Sequence, residues 1–326
     1  MKPFLYLSIL AVSTIFFSSK TELPHSSKKD IKFPLPGSAG TWTIEWSPDE
    51  AYIAYGGDDS LLKIFKPGGS SLTRSYKMNS MIKGLSWHPD SRLLAISLNN
   101  GVQLLDMETG DFFTVTELTT GGRGIGWNYT GELLGLADGR GVVQIMNKKG
   151  ELLRSIKKHN NHSYLALHWH PSKNIIVTSS DEIILFDTSG RQLNMFNHRK
   201  ERAGILSVRW HPSGKFFASG DYGHDGEGIE SLLQFWKEDG TLIKIMHGSK
   251  TEYRNIRWNR DGSLLATASD ALRTWSKEGK LVNSGKTGYN LWGISWNSKG
   301  SQIITSSFDG NIDFWTSKAK LIRHVF

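Results

Sequence analysis

The sequence predicts an all-β fold, a seven-bladed β-propeller of four-stranded antiparallel blades. Three observations predict it: a tryptophan that recurs about every forty residues, turn-forming residues after each of these tryptophans, and four short apolar segments per repeat without helical periodicity. A length of 326 residues is compatible with one large domain or two average ones. The fold class therefore depends on the repeat and not on the length.

An apolar segment precedes the repeats. Residues 1–3 are a short basic start and residues 4–17 an uncharged apolar run, which is typical of a secretory signal peptide. The run is shorter than the roughly 20 residues of a membrane span, but its poor cleavage motif leaves an uncleaved anchor as the alternative. We expect residues 1–19 to be this signal peptide or anchor, residues 20–29 a flexible linker and residues 30–326 the propeller. The expected location is secreted or periplasmic, without a stable membrane span after processing; the alternative is membrane-anchored.

One tryptophan marks each repeat, two residues after an aliphatic side chain. Successive tryptophans are 41, 40, 42, 41, 48 and 38 residues apart. They are Trp46, Trp87, Trp127, Trp169, Trp210, Trp258 and Trp296. One large residue per blade at a fixed strand position is typical of packing between blades. We therefore expect these indoles to be structural rather than ligand-stacking.

Turn-forming residues follow every repeat tryptophan, as in the segments 88–90 and 211–214. Proline pre-sets the backbone angle of one turn position, while Gly, Asn and Asp tolerate the left-handed conformation. Each turn is therefore predicted to join the first strand of a blade to a second apolar strand, which two further strands follow. His88, His170 and His211 share one turn position in different blades and are expected to be turn residues that do not converge.

The third strands carry a resemblance to a known family. Three of them end in Trp236, Trp275 and Trp315, and the turns before third strands contain Asp59, Asp138, Asp181, Asp270 and Asp309. From about residue 30 to residue 326 the chain thereby resembles the WD-repeat β-propellers. The resemblance implies that the turn aspartates brace the blades by hydrogen bonds, and that partners bind near the face where the innermost strands begin. The family's Gly-His pair is missing from most blades, so the full hydrogen-bonded tetrad is not implied for each of them.

Two segments could supply the outer strand of the last blade. Residues 31–33 stand fifteen residues before Trp46, the same offset as residues 243–245 before Trp258. Residues 321–326 could supply that strand too. We expect one of the two segments to pair there, because a closed ring leaves no exposed central edge.

Candidate binding residues form an arc at the entrance of the innermost strands. Trp42 and Trp292 stand four residues before the repeat tryptophan in blades one and seven, which are neighbours in a closed ring. Lys83, Arg123 and Arg254 hold the same position in blades two, three and six. Aromatic residues and arginine are enriched at binding hot spots, so these five are predicted to contact a protein partner. The alternative is that both tryptophans simply continue the apolar side of their strands.

An insertion lengthens a loop of blade five, which the resemblance places on the same face. His224 and Asp225 in this loop join the predicted partner-binding residues. Together with Asp221, Glu227 and Glu230 they could also surround a cation, since hard cations prefer carboxylate oxygens, but no known ligand spacing is matched. We therefore predict a partner-contacting loop and no metal site.

The residues just before the repeat tryptophans could edge the central channel. They are Glu45, Ser86, Gly126, His168, Arg209, Arg257 and Ser295. This set predicts one basic sector of the channel, with a packed polar network as the alternative.

The composition and the absence of known motifs exclude several kinds of functional site. The absence of Cys excludes disulfides, thiolate metal sites and a cysteine nucleophile. The net charge of +8 favours an acidic partner, but the basic residues are not concentrated in one stripe, so no nucleic acid is expected. No metalloprotease, nucleophile-elbow or Walker motif is present. We predict an exported, monomeric, non-catalytic scaffold without a cofactor. The alternatives are a hydrolase or lactonase-like propeller with a divalent metal at the channel mouth, and a cytoplasmic propeller associated with nucleic acid.

Overall fold

The computed structural model describes residues 39–325 except residues 70, 116, 117, 119, 158–162, 201, 202 and 224–227. This part of the chain forms 28 β-strands and no helix. The strands build seven four-stranded antiparallel sheets, which confirms the predicted seven-bladed propeller. Within the described ranges no helix is long and apolar enough to cross a membrane. The predicted leader and linker, residues 1–29, lie outside the described residues.

Each blade consists of four consecutive strands, ordered from the innermost to the outermost. Blade one contains β1 (Thr41–Trp46), β2 (Ile53–Gly57), β3 (Leu61–Phe65) and β4 (Leu72–Lys77). Blade two contains β5 (Ile82–Trp87), β6 (Leu93–Leu98), β7 (Gly101–Asp106) and β8 (Phe112–Thr114). Blade three contains β9 (Gly124–Trp127), β10 (Leu133–Ala137), β11 (Val142–Asn147) and β12 (Leu152–Lys157). Blade four contains β13 (Ala166–Trp169), β14 (Ile175–Ser179), β15 (Glu182–Asp187) and β16 (Gln192–Asn197). Blade five contains β17 (Ile205–Trp210), β18 (Phe217–Asp221), β19 (Leu233–Trp236) and β20 (Leu242–Met246). Blade six contains β21 (Asn255–Trp258), β22 (Leu264–Ala268), β23 (Ala271–Ser276) and β24 (Leu281–Lys286). Blade seven contains β25 (Leu291–Trp296), β26 (Gln302–Ser307), β27 (Ile312–Thr316) and β28 (Leu321–His324).

Burial falls from the middle of each blade to its rim. Every residue of β2 is buried, whereas four of the five residues of β20 are exposed. The second and third strands read as nearly continuous apolar runs because neighbouring blades cover both of their faces. The core is therefore a series of layers between blades.

The repeat tryptophans fasten each blade to the one before it. Six of the seven are buried, and Trp258 is partly buried. The indole nitrogens of Trp87, Trp169 and Trp296 donate to main-chain oxygens of the preceding blade, at 3.2, 2.7 and 2.9 Å. The predicted structural role of these indoles is confirmed, because they pack between blades and several of them also donate a hydrogen bond to the preceding blade.

The turn histidines also bridge blades, which goes beyond the role the sequence predicts for them. Their Nε2 atoms lie 3.0, 3.1 and 2.9 Å from the turn-glycine oxygens of the next blade, in the pairs His88–Gly131, His170–Gly214 and His211–Gly262. Each ring also meets the next repeat tryptophan edge-on, with centroids 4.6 to 4.9 Å apart. They do not converge, as predicted.

The carboxyl-terminal segment supplies the outer strand of blade seven. Strand β28 pairs antiparallel with β27, and the main-chain nitrogen of Val325 donates to the oxygen of Ile312 at 2.8 Å. Residues 31–33, the other predicted source, lie outside the described residues.

Side chains join blade seven to blade one: the Ser306 hydroxyl donates to the Thr41 oxygen at 3.0 Å, and the main-chain nitrogen of Trp46 donates to Ser295 Oγ at 3.0 Å.

Third-strand tryptophans are braced inside their own blades. Trp236, Trp275 and Trp315 donate to a Ser or Thr hydroxyl of the second strand at 2.8, 3.2 and 2.9 Å. In blade five the buried His198 packs beside Trp236, and its Nδ1 lies 3.2 Å from Asp221 Oδ2. Sequence reasoning missed this group, because His198 follows Asn rather than Gly and Asp221 ends a strand.

Candidate functional site

The inner strands all begin on one face of the propeller, which we call the upper face. The turns between second and third strands lie on the same face, since the first two strands of each blade are antiparallel. In blade one, Trp42 Nε1 donates to Asp58 Oδ1 at 2.7 Å, which ties the strand entrance to that turn. The predicted arc therefore lies beside the loops of this face.

Three aromatic residues meet where blade seven adjoins blade one, and we call them the aromatic cluster: Trp42, Trp292 and Phe308. The Trp42 and Trp292 ring centroids are 4.9 Å apart with an interplanar angle of 65°, and Phe308 lies 4.8 Å from Trp292. Both tryptophans are half-buried, while Phe308 is 55% exposed. Part of the aromatic cluster is therefore accessible from the upper face.

Arg254 packs on the aromatic cluster. Its guanidinium carbon lies 4.0 Å from the Trp292 ring centroid and 5.5 Å from that of Trp42. Each such cation–π contact contributes roughly 0.5–2 kcal/mol, depending on how far it is removed from water. Burial lowers the pKa of Arg254, against a smaller opposite effect of Glu252, whose Oε1 lies 3.4 Å from Arg254 Nε. The guanidinium is thus held in place rather than freely solvated.

Arg123 reaches across the channel to the same point. One of its terminal nitrogens donates to the main-chain oxygen of Arg254 at 2.9 Å, linking blade three to blade six. Burial, followed by the positive charge of Arg254, lowers the pKa of Arg123. Lys83 lines the same cavity, and burial lowers its pKa as well. The structure therefore brings all five predicted arc residues to the channel mouth.

The central cavity below them has a volume of about 40 Å³ and an excess of positive charge. Its cationic lining residues, which we call the channel cations, are Lys83, Arg123, Arg209, Arg254 and Arg257. Its one carboxylate among the described lining residues is Glu45, which forms an ion pair with Arg257. The predicted basic sector of the channel is confirmed.

The predicted alternative, a polar network, is confirmed for other members of the same set. Ser86 Oγ, His168 Nδ1 and Ser295 Oγ each accept the main-chain N–H of the next blade's repeat tryptophan, at 3.4, 3.1 and 3.0 Å. Burial and then the charge of Arg209 hold the pKa of His168 well below its usual range, so this ring is neutral. The residue before the repeat tryptophan therefore lines the channel in some blades and accepts a hydrogen bond from the next blade in others.

The insertion of blade five is described only at its two ends, and the predicted residues His224 and Asp225 lie outside the described residues. Tyr222 at the start of the loop is half exposed on the upper face. Asp221 is fully buried, where Arg199 contacts it at 2.5 Å and the Leu232 N–H donates to it at 2.7 Å. The suggestion that Asp221 joins a cation site is therefore wrong. No group of three or more His, Asp or Glu suited to a metal ion occurs in the part of the chain that the structure describes.

Phe308 and Tyr222 are upper-face residues that sequence reasoning missed. Both directly follow a second strand, in the turn that the resemblance already places on this face. An aromatic residue at that position was the signal that could have identified them.

Comparisons with known proteins agree with this architecture. The family model for the anaphase-promoting complex subunit 4 WD40 domain matches residues 44–122, and the model for the WD domain, G-beta repeat, matches residues 190–227 and 279–316.

Among individual proteins, the chain is similar to the probable cytosolic iron-sulfur protein assembly protein 1 of Candida glabrata. The two are 25% identical over 141 residues, which are 38% of this chain and 40% of that protein. Identity to the F-box-like/WD repeat-containing protein TBL1X of mouse is 26% over 37% of this chain and 26% of that protein. Identity to the mouse intraflagellar transport protein 80 homolog is 23% over 58% of this chain and 23% of that protein. The matches thus span less than half the length of each relative.

Proposed function

Since this chain is a WD-repeat β-propeller, we propose that it is a non-catalytic scaffold that holds a protein partner on its upper face, at Trp42, Trp292 and Arg254. The observation that carries the proposal is the packing of the Arg254 guanidinium on two half-buried indoles. Tryptophan and arginine dominate binding hot spots. Side chains that are already immobilised lose little entropy when a partner docks.

The charge of the channel favours an acidic partner. Lys83 and Arg123 line the cavity next to the aromatic cluster, and the described lining contains five cations against one carboxylate. A partner segment that places apolar side chains on the cluster and a carboxylate over the mouth would match both chemistries.

The same charge argues against the alternative, a hydrolase with a divalent metal at the channel mouth. A divalent cation would be repelled by Lys83, Arg123 and Arg254, which surround that position. Elemental analysis of the purified protein tests this alternative, which requires about one equivalent of tightly held metal per chain.

The proposed location is outside the cytoplasm, and the proposed form is a monomer. Residues 1–17, with their basic start and apolar run, support export. Sequencing the amino terminus of the mature protein tests the cleavage of the leader, and light scattering tests the oligomeric state.

Selection from a displayed peptide library tests partner binding directly. We expect enrichment of acidic peptides that contain apolar side chains. The double variant Trp42→Ala, Arg254→Gln should weaken binding of the selected peptides by about 30-fold, the effect of removing a hot spot. The matched control is Tyr129→Ala, which removes a half-exposed aromatic side chain from the turn after β9, at the opposite end of the inner strands. Unchanged affinity in a double variant that melts like the wild type would refute the site.

A further inference from the structure

The channel beneath the upper face holds more positive charge than its own groups compensate. Arg257 pairs with Glu45, and Arg123 donates to a main-chain oxygen. Arg209 donates through Nε to the main-chain oxygen of Ile256 at 3.2 Å. Among the described residues, Lys83 Nζ and the two terminal nitrogens of Arg209 have no hydrogen-bond or ion-pair partner.

Partly desolvated cations without partners are unfavourable, because their surroundings stabilise the charge less well than bulk water does. Burial lowers the pKa of both Lys83 and Arg209, because it disfavours their charged forms. A bound anion would offset it. Such an anion would also reduce the repulsion between Arg123 and Arg254, whose charges lie close together.

The dimensions of the cavity restrict the anion. About 40 Å³ accommodates a few waters or one small tetrahedral ion, since one water requires at least about 10–15 Å³. Arginine forks and lysine ammonium groups are the usual protein ligands of phosphate oxygens.

We propose that the central channel binds a phosphate-class oxyanion at its cationic lining, to which Lys83 and Arg209 contribute. The anion is either free phosphate or a phosphate group carried by a partner. This site lies below the aromatic cluster and does not depend on the proposed docking of a protein there.

Calorimetry and melting curves of the full chain test the proposal with three probes at equal ionic strength: inorganic phosphate, a phosphoserine pentapeptide and the same peptide unphosphorylated. We expect saturable binding and a rise in Tm with phosphate. Arg209→Gln should weaken binding at least about tenfold, the loss of one charge-assisted contact. Lys83→Gln, at the half-exposed mouth, serves as the second variant if Arg209→Gln does not fold. The control is Lys244→Gln, an exposed position on β20 far from the channel.

The outcomes separate the sources of the anion. Binding of phosphate alone, lost in a channel variant, supports free phosphate. Binding of the phosphopeptide alone, lost in the same variant, supports a partner-borne group. Absence of saturable binding by either probe overturns the proposal, and so does an equal rise in Tm in the wild type and both channel variants. Trp292→Ala should leave phosphate binding intact, so a failure of the docking proposal and a failure of this one are distinguishable.

Discussion

At the scale of single residues, Arg254 connects the two functional regions of the molecule. Its guanidinium packs on Trp292 and Trp42, while its main-chain oxygen receives the side chain of Arg123 from across the channel. The side chain therefore contributes to the upper face and to the channel lining, and the main-chain oxygen holds Arg123. A substitution at this position removes the cation–π contacts and one channel charge but leaves the main-chain oxygen to which Arg123 donates.

A second residue-scale feature is the close approach of three turn glycines, Gly131, Gly214 and Gly262, to a histidine of the preceding blade. Gly214 has φ +69°, and a Cβ added there would stand 2.5 Å from a carbon of the His170 ring. The left-handed conformation alone makes a side chain unfavourable, and the ring adds a steric clash.

We predict that Gly214→Ala lowers the free energy of unfolding by about 2–3 kcal/mol, because it strains the turn and displaces His170. Urea denaturation measures this loss. The matched control is Gly110→Ala, which has φ +81° but no atom within 4 Å of the added Cβ. It should cost only about 1 kcal/mol, the backbone strain alone. Equal losses in the two variants would show that the contact with His170 contributes nothing.

At the scale of elements, β28 completes the last blade and contacts the first one. Its backbone covers the outer edge of β27, Arg323 packs over Phe314 with its guanidinium carbon 4.3 Å from the ring centroid, and His324 Nδ1 lies 2.6 Å from the buried Asp313. Arg323 also donates to the Pro67 oxygen of blade one at 2.7 Å. The strand therefore links blade seven to its neighbour as well as completing its own sheet.

We predict that a chain ending at residue 320 unfolds at lower temperature and aggregates, because β27 becomes an exposed edge and Asp313 loses its contact with His324, although it keeps the hydrogen bond from the Tyr289 hydroxyl. Thermal melting with light scattering measures both effects. The double substitution Leu321→Ala, Ile322→Ala is the control, since these side chains are 44% and 46% exposed and the backbone pairing remains. If the truncated chain melts like this control, β28 is dispensable and the ring closes by other means.

At the scale of the whole molecule, the sequence predicted what is repeated and missed what crosses between repeats. A spacing of about forty residues, an indole and a turn recur because every blade must bury the same two faces, so the fold and the arc of Trp42, Arg254 and Trp292 could be predicted from offsets alone. The crossing of Arg123 to the Arg254 oxygen depends on the rotamer of a long side chain, which spacing does not encode. The choice of β28 as the outer strand was equally undetermined, since residues 31–33 and 321–326 carry similar patterns.

The interfaces between blades four and five and between blades five and six share a dependence on pH. Burial lowers the pKa of His168, His170 and His211, and in each of them Nδ1 accepts a main-chain N–H, which requires the neutral ring. In the unfolded chain these histidines titrate near pH 6.5. Below that pH the unfolded state binds more protons than the folded state, so stability rises with pH through this window and is lost as pH falls.

We therefore predict that the urea concentration at the unfolding midpoint decreases when the pH is lowered from about 7.5 to about 5.5. This pH range lies above the one in which carboxylates titrate. His170→Gln should reduce this fall, because an amide can still donate to the Gly214 oxygen and accept from Ser172 without titrating. Lys244→Gln, on the exposed rim, should leave the pH dependence unchanged. A midpoint that stays constant over this range would mean that the neutral histidines between blades do not contribute to the stability of the ring.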